Sequence, residues 1–150
     1  MKQRGLEPDV ITCNALISAC EKTKQVEKAF AVFAEMKQGG LQRNVITCNA
    51  LISACEKTKQ VEKAFEVFAE MKQGGLEPNV ITCNALISVC EKTTQVEKAF
   101  EVFAELKQRG LQPNVITCSA LISACEKTMQ VEKAFEVFAE MKRRDRKSVV

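Results

Sequence analysis

Among the side chains that most often do chemistry in proteins, this sequence lacks histidine and is rich in cysteine. Histidine, the usual general base at neutral pH and the commonest metal ligand, is absent from the 150 residues. Cysteines occur in pairs seven residues apart: Cys13 and Cys20, Cys48 and Cys55, Cys83 and Cys90, Cys118 and Cys125. Seven helical residues rise about 10.5 Å, more than the ~6.8 Å that a disulfide spans between Cα atoms. We therefore expect free, apolar thiols, and neither disulfides nor a zinc site.

A second recurring set of residues is suited to binding a ligand rather than transforming one. Ile11, Asn14, Ser18 and Lys22 are spaced three, four and four residues apart, so they share one line of a helix. Each line offers an aliphatic surface, a group that can donate and accept hydrogen bonds, and a cation, which suit the base face, base edge and phosphate of a single-stranded nucleic acid. The line recurs as Ile46, Asn49, Ser53 and Lys57; as Ile81, Asn84, Ser88 and Lys92; and as Ile116, Ser119, Ser123 and Lys127.

Two predicted helices position each line. The first runs from about Val10 to Lys22, because apolar residues recur there at i, i+3, i+4 and i+7, at Cys13, Leu16, Ile17 and Cys20. The second runs from about Lys24 to Gln38 and is stopped by Gly39 and Gly40. We expect Thr23 to cap the second helix, and the four first helices to be capped by Asp9, Asn44, Asn79 and Asn114.

The whole pattern repeats every 35 residues, which predicts four helical-hairpin repeats at 10–44, 45–79, 80–114 and 115–149. Residues 1–9 match the end of a preceding repeat, so the chain is interpreted as a piece of a longer array. The fourth repeat ends atypically, and we expect fraying at 145–149. One hairpin cannot bury both of its apolar faces, so the predicted fold is all-α, a right-handed α-solenoid of stacked helix-turn-helix repeats.

Charge and hydropathy leave the partner open. The net charge of +3 neither favours nor excludes a polyanion. Glutamates adjoin the lysines of the recurring line at Glu21, Glu56, Glu91 and Glu126, and they weaken any attraction to phosphate. No apolar run is long enough to cross a membrane, and neither a signal peptide nor a transit peptide is visible.

The run VITCNALISACEK, followed by VEKAFxVFAEMKxxGLxP, resembles the pentatricopeptide-repeat consensus over nearly the whole chain. The resemblance implies sequence-selective binding of single-stranded RNA, one base per repeat, in organellar RNA processing, stability or translation. It implies a mitochondrial or chloroplast location and no cofactor, membrane or small-molecule substrate. Other RNA-processing proteins are further possible partners. Cysteine stands where the family usually has tyrosine, at 13, 48, 83 and 118, which we expect to affect stability more than recognition.

Site residues follow from the resemblance residue by residue. The implied base-reading pairs are Asn14 with Asn44, Asn49 with Asn79, and Asn84 with Asn114, and such pairs favour pyrimidines, cytosine over uracil. Ser119 would read a fourth base, but its partner position is Val149, outside the pattern, and Asp9 would complete a repeat whose beginning is missing. The implied base sandwich is Ile11, Ile46, Ile81 and Ile116. From the residue pattern alone, phosphate contacts are expected from Lys22, Lys57, Lys92 and Lys127.

Structural and functional alternatives remain at this stage. Asn44, Asn79 and Asn114 could act as caps alone, the isoleucines could be staples between helices, and the lysines could be solvated. A helical scaffold that binds a protein, as tetratricopeptide repeats do, is the alternative function, although their 34-residue period differs. We expect no enzymatic activity, because the H-x-E and C-x-x-C motifs of the deaminase domain carried by some relatives do not occur.

Overall fold

The computed structural model of the chain describes the backbone of residues 9–149 and the side chains of residues 9–143. All regular elements in this range are α-helices, in two compact units, Met1–Glu77 and Pro78–Val150. Unit 1 contains α1 (Val10–Lys22), α2 (Val26–Gln38), α3 (Val45–Lys57) and α4 (Val61–Gln73). Unit 2 contains α5 (Val80–Lys92), α6 (Val96–Gln108), α7 (Val115–Lys127) and α8 (Val131–Val149). None of the described helices is long and apolar enough to cross a membrane.

Each unit is a pair of helical hairpins. In unit 1, α1 packs against α2 and α3 against α4, and the hairpins stack through contacts of α3 with α1 and α2. In unit 2, α5 packs on α6 and α7 on α8, while α7 contacts α5 and α6. The predicted helical hairpins are therefore confirmed. The predicted repeat boundaries stay a prediction.

The first helix of each hairpin begins at the predicted cap. The side-chain oxygen of Asp9 accepts the Thr12 N–H, and those of Asn44, Asn79 and Asn114 accept the N–H of Thr47, Thr82 and Thr117. These bonds satisfy a backbone donor that has no partner within the helix. The three asparagine caps are reciprocal, because the threonine hydroxyl also accepts the N–H of the asparagine.

The second helix begins two residues later than predicted, and Thr23 does not cap it. Thr23 is instead the C-cap of α1, where its hydroxyl donates to the carbonyl oxygen of Ala19 at 3.0 Å. Lys24 then takes a left-handed conformation, with φ of 60°, and the Gln25 N–H donates to Cys20 O at 2.8 Å. A left-handed residue cannot continue a right-handed helix, so the tight turn delays α2 to Val26.

The last helix is longer than predicted. We expected fraying at 145–149, but α8 continues to Val149. The sequence Arg-Arg-Asp-Arg stands where the earlier repeats have glycine after the second helix, so the usual stop signal is missing. The side chains at 144–149, including that of Val149, lie outside the described residues. Residues 1–8, which belong to the predicted end of a preceding repeat at 1–9, also lie outside the described residues.

The eight cysteines are buried thiols that take part in no disulfide. Burial raises the pKa of Cys48 to about 11 and that of Cys55 and Cys90 to about 12, so these thiols stay protonated at neutral pH. Leu16 departs from the predicted buried stripe, because its side chain is 51% exposed whereas Leu51 is fully buried. Among the described residues no helix precedes α1 to cover Leu16.

Candidate functional site

A cluster of two amides and one hydroxyl joins consecutive hairpins in unit 1. Asn14 on α1 donates through Nδ2 to Oδ1 of Asn44, the cap of α3, at 3.5 Å. The hydroxyl of Thr47, in the first turn of α3, lies 2.5 Å from Asn14 Oδ1 and 2.9 Å from Asn44 Oδ1. We call this cluster an amide rung. It brings the predicted partners Asn14 and Asn44 into direct contact.

Unit 2 contains an equivalent rung. Asn84 on α5 donates through Nδ2 to Oδ1 of Asn114 at 3.2 Å. The Thr117 hydroxyl lies 2.5 Å from Asn84 Oδ1 and 3.0 Å from Asn114 Oδ1. The same geometry therefore recurs where the sequence repeats, as expected if repeated residues perform a repeated task.

The threonine of each rung is buried, while its asparagines face the solvent in part. Thr47 and Thr117 have no exposed surface. Asn14, Asn44 and Asn84 are partly exposed, and Asn114 is exposed. An external ligand can therefore reach the amides, whereas the threonine acts on them from the protein side.

The remaining predicted readout residues are Asn49, Asn79 and Ser119. Asn49 is partly exposed on α3, and Asn79 caps α5, accepting the Thr82 N–H at 3.0 Å. Ser119 is exposed on α7. Its predicted partner, the side chain of Val149, lies outside the described residues.

The four isoleucines are exposed on the first helices, three residues before Asn14, Asn49, Asn84 and Ser119. The exposed fraction is 79% for Ile11 and 65–67% for Ile46, Ile81 and Ile116. A staple against a neighbouring helix would bury an isoleucine, so the exposure argues against that alternative. An exposed large apolar side chain at the same position of each first helix can contact a flat apolar ligand.

Lys57 and Lys127, which are predicted phosphate contacts, are each paired with a carboxylate. Lys57 pairs with Glu21 of the preceding hairpin, and Lys127 lies 2.5 Å from Glu91. Ser53 and Ser123, from the same predicted line, donate to those glutamates at 3.0 and 2.8 Å. Lys22 and Lys92 are exposed at the ends of α1 and α5.

These partners set the charge of the glutamates. Burial alone would raise the pKa of Glu21, but the hydrogen bonds from Lys57 and Ser53 and nearby positive charge outweigh it and lower the pKa below its ordinary value. The pKa of Glu91 is lowered in the same way by Lys127 and Ser123. Both glutamates are therefore ionised at neutral pH, and they neutralise the charges of Lys57 and Lys127, which are predicted to contact phosphate.

The sequence pattern did not identify Thr47 and Thr117 as members of the candidate site. A threonine three residues after an asparagine cap is a recognisable capping pattern. However, its contact with an asparagine of the preceding hairpin, 33 residues earlier, has no local signal. Among the described side chains, no three or more Cys, Asp or Glu residues are placed to hold a metal ion.

A family profile described as the pentacotripeptide-repeat region of PRORP matches residues 2–147. The chain belongs to the pentatricopeptide-repeat family. The predicted resemblance is thereby confirmed over nearly the full sequence. No protein of curated function matches the sequence significantly.

Solved structures of pentatricopeptide-repeat proteins share the fold. Maize PPR10 matches with a TM-score of 0.71 and 30% identity, over 97% of this chain and 21% of the PPR10 chain. PPR10 in complex with an 18-nt psaJ RNA element matches with a TM-score of 0.83 and 26% identity, over 93% of this chain and 20% of that chain. The chain thus spans about a fifth of PPR10. The predicted all-α solenoid class is confirmed.

A further match shows the fold alone, because its sequence identity is only 18%. It is the pentatricopeptide-repeat domain of Arabidopsis thaliana protein-only RNase P 1, solved in complex with tRNA, with a TM-score of 0.83. The match covers 95% of this chain and 75% of that domain.

Proposed function

We propose that this chain binds single-stranded RNA, with each amide rung reading one base. The observation that carries the proposal is the recurrence in both units of paired, partly exposed amides next to an exposed isoleucine. Single-stranded RNA is recognised through stacking on side chains and hydrogen bonds to base edges, and these residues supply both. The RNA complex of PPR10, a member of the same family, supports the assignment.

The proposed site keeps the repeats 10–44, 45–79, 80–114 and 115–149 as its units. Asn14 with Asn44, Asn49 with Asn79, and Asn84 with Asn114 read three bases, with a preference for pyrimidines and for cytosine over uracil. Ser119 contacts a fourth base without a described partner. The isoleucines lie against the base faces. Of the predicted phosphate ligands, Lys57 and Lys127 can act only in competition with Glu21 and Glu91.

The proposed activity is binding without catalysis. Base stacking contributes about 1 to 3 kcal/mol per base before entropic costs, so three or four bases give weak binding. The rungs provide donors and acceptors of hydrogen bonds but no activated nucleophile. From the family we further propose a role in organellar RNA processing, stability or translation, in a mitochondrion or chloroplast, alongside other RNA-processing proteins.

A direct test is a binding titration with labelled homopolymeric RNAs at low salt, with oligo-dC as a control for the sugar. We expect the order C, then U, then the purines. The variant Asn14→Ser, Asn49→Ser, Asn84→Ser should move the preference toward adenine, as the family's pairing scheme implies. A matched control replaces exposed amides at the ends of α2, α4 and α6, in the variant Gln38→Ser, Gln73→Ser, Gln108→Ser.

The two variants separate readout from general loss of polar surface. The control should keep the wild-type order of affinities, because its substitutions lie on the second helices. Unchanged selectivity in the Asn→Ser variant would contradict the pairing scheme. Absence of binding to every RNA at low salt would contradict RNA binding itself and favour a protein partner.

A further inference from the structure

The two amides of a rung are oriented by a chain of contacts that begins at one backbone N–H. The Thr47 N–H can only donate, so the Asn44 atom 2.9 Å away must be the carbonyl oxygen Oδ1. The Asn14 atom that contacts this oxygen must then be the donor Nδ2, which turns Asn14 Oδ1 toward the Thr47 hydroxyl. The same chain of contacts runs from the Thr117 N–H through Asn114 to Asn84.

The threonine hydroxyl completes this orientation. It carries one proton, and the nearest acceptor is Asn14 Oδ1, at 2.5 Å, while its oxygen accepts the Asn44 N–H at 3.4 Å. Asn44 Oδ1 already accepts the Thr47 N–H, so Asn14 Oδ1 is also the acceptor with fewer other donors. The hydroxyl therefore holds the carbonyl of Asn14 against the protein.

What remains for a ligand is mainly hydrogen-bond donors. In the part of the chain that the structure describes, the Nδ2 groups of Asn44 and Asn114 donate to no protein atom. One side-chain N–H of Asn14 and one of Asn84 also remain available to a ligand. Cytosine presents adjacent acceptors at O2 and N3, whereas uracil carries a hydrogen on N3 that would oppose these donors. An unmatched donor pair is costly, so a donor-rich rung discriminates between the two bases.

We propose that Thr47 and Thr117 are positioning residues for base recognition, which orient the preceding repeat's asparagine so that the rung selects cytosine over uracil. This inference rests on the proposed RNA binding. Without the hydroxyl, Asn14 would keep only its 3.5 Å hydrogen bond to Asn44, and Asn84 only its 3.2 Å bond to Asn114. Bonds at the long end of the range are too weak to hold one amide orientation.

The test compares the affinities for oligo-C and oligo-U in the full chain and its variants. Thr47→Val with Thr117→Val removes both hydroxyls with little change in volume, and Thr47→Ser with Thr117→Ser restores them. We expect the valine variant to lose C-over-U selectivity by roughly two- to tenfold for each rung, and the serine variant to recover it. Thr12→Val is the matched control, because the Thr12 hydroxyl donates at 2.8 Å to the cap Asp9.

The possible results separate the inference from the function on which it rests. A purely structural role would lower the affinity for both RNAs equally and would leave the ratio of the C and U affinities unchanged. If the wild-type chain prefers cytosine and the valine variant keeps that preference, the role of the threonines is refuted while RNA readout stands. A wild-type chain with no preference for cytosine would overturn both the role of the threonines and the proposed base readout. Thermal unfolding of each variant checks that the hairpins remain folded.

Discussion

Releasing two lysines from their glutamates should strengthen RNA binding and increase its dependence on salt. The perturbation is Glu21→Gln with Glu91→Gln. Glutamine keeps an oxygen that can accept the hydrogen bonds of Ser53 and Ser123, but it no longer pairs with the charges of Lys57 and Lys127. The local charge of each Glu–Lys pair thus changes from neutral to positive.

The magnitude follows from the number of lysines released. For a single strand, each phosphate neutralised adds about 0.7 to the slope of log affinity against log salt concentration. Two lysines should therefore make the slope steeper by roughly 1.4. A tenfold increase in salt should then reduce the affinity of the variant by a factor about 25 times larger than the factor for the wild type. At low salt the variant should bind more tightly to every homopolymer, since phosphate contacts do not distinguish bases.

The assay is a salt series of RNA titrations, with a control of equal charge. Glu70→Gln with Glu140→Gln releases Lys37 and Lys107 from ion pairs of 2.8 and 3.2 Å between second helices. Both variants remove two negative charges and raise the net charge from +3 to +5. An equal change of slope in both variants would show a general charge effect, and no change in the first would refute phosphate contact by Lys57 and Lys127.

Two further predictions concern stability. Thr94→Gly should raise the free energy of unfolding in urea by about 1 kcal/mol, because a β-branched residue is strained at its φ of 56°, whereas Thr93→Gly, at φ of −103°, should lower it. Glu21 and Glu91 have lowered pKa values in the folded state, so their stabilising contribution is present above their ordinary pKa of 4.5 and is lost as pH falls through the folded pKa. Wild-type stability should consequently fall more steeply than that of Glu21→Gln with Glu91→Gln on acidification below about pH 4.5, and parallel pH profiles would contradict this.

The helices were predictable because their signals are local. The apolar stripe and the cap at Asp9 placed α1 at Val10–Lys22, as the structure has it. The start of α2 was not predictable in the same way, because a lysine in a left-handed turn gives no sequence signal such as glycine would. The continuation of α8 to Val149 follows from the missing glycine, without which the helix has no stop signal.

The candidate site was only partly predictable. The repeating Asn positions identified the amides, and the hydrogen bonds in two rungs place the predicted partners together. The pairing of Lys57 with Glu21 depends on how consecutive hairpins stack, which the helical period does not determine. The base-reading roles themselves stay predictions until the titrations are made.

The amide rung crosses the boundary at which the sequence repeats. Asn14 and Asn44 belong to one 35-residue segment, whereas Thr47 belongs to the next. Exchange of segments by recombination at that boundary would separate the asparagines from their threonine. The exchange preserves a rung only because every incoming segment carries threonine at the same position, as it does at 12, 47, 82 and 117. Modular engineering of such arrays should therefore exchange blocks that keep each asparagine pair with the following threonine.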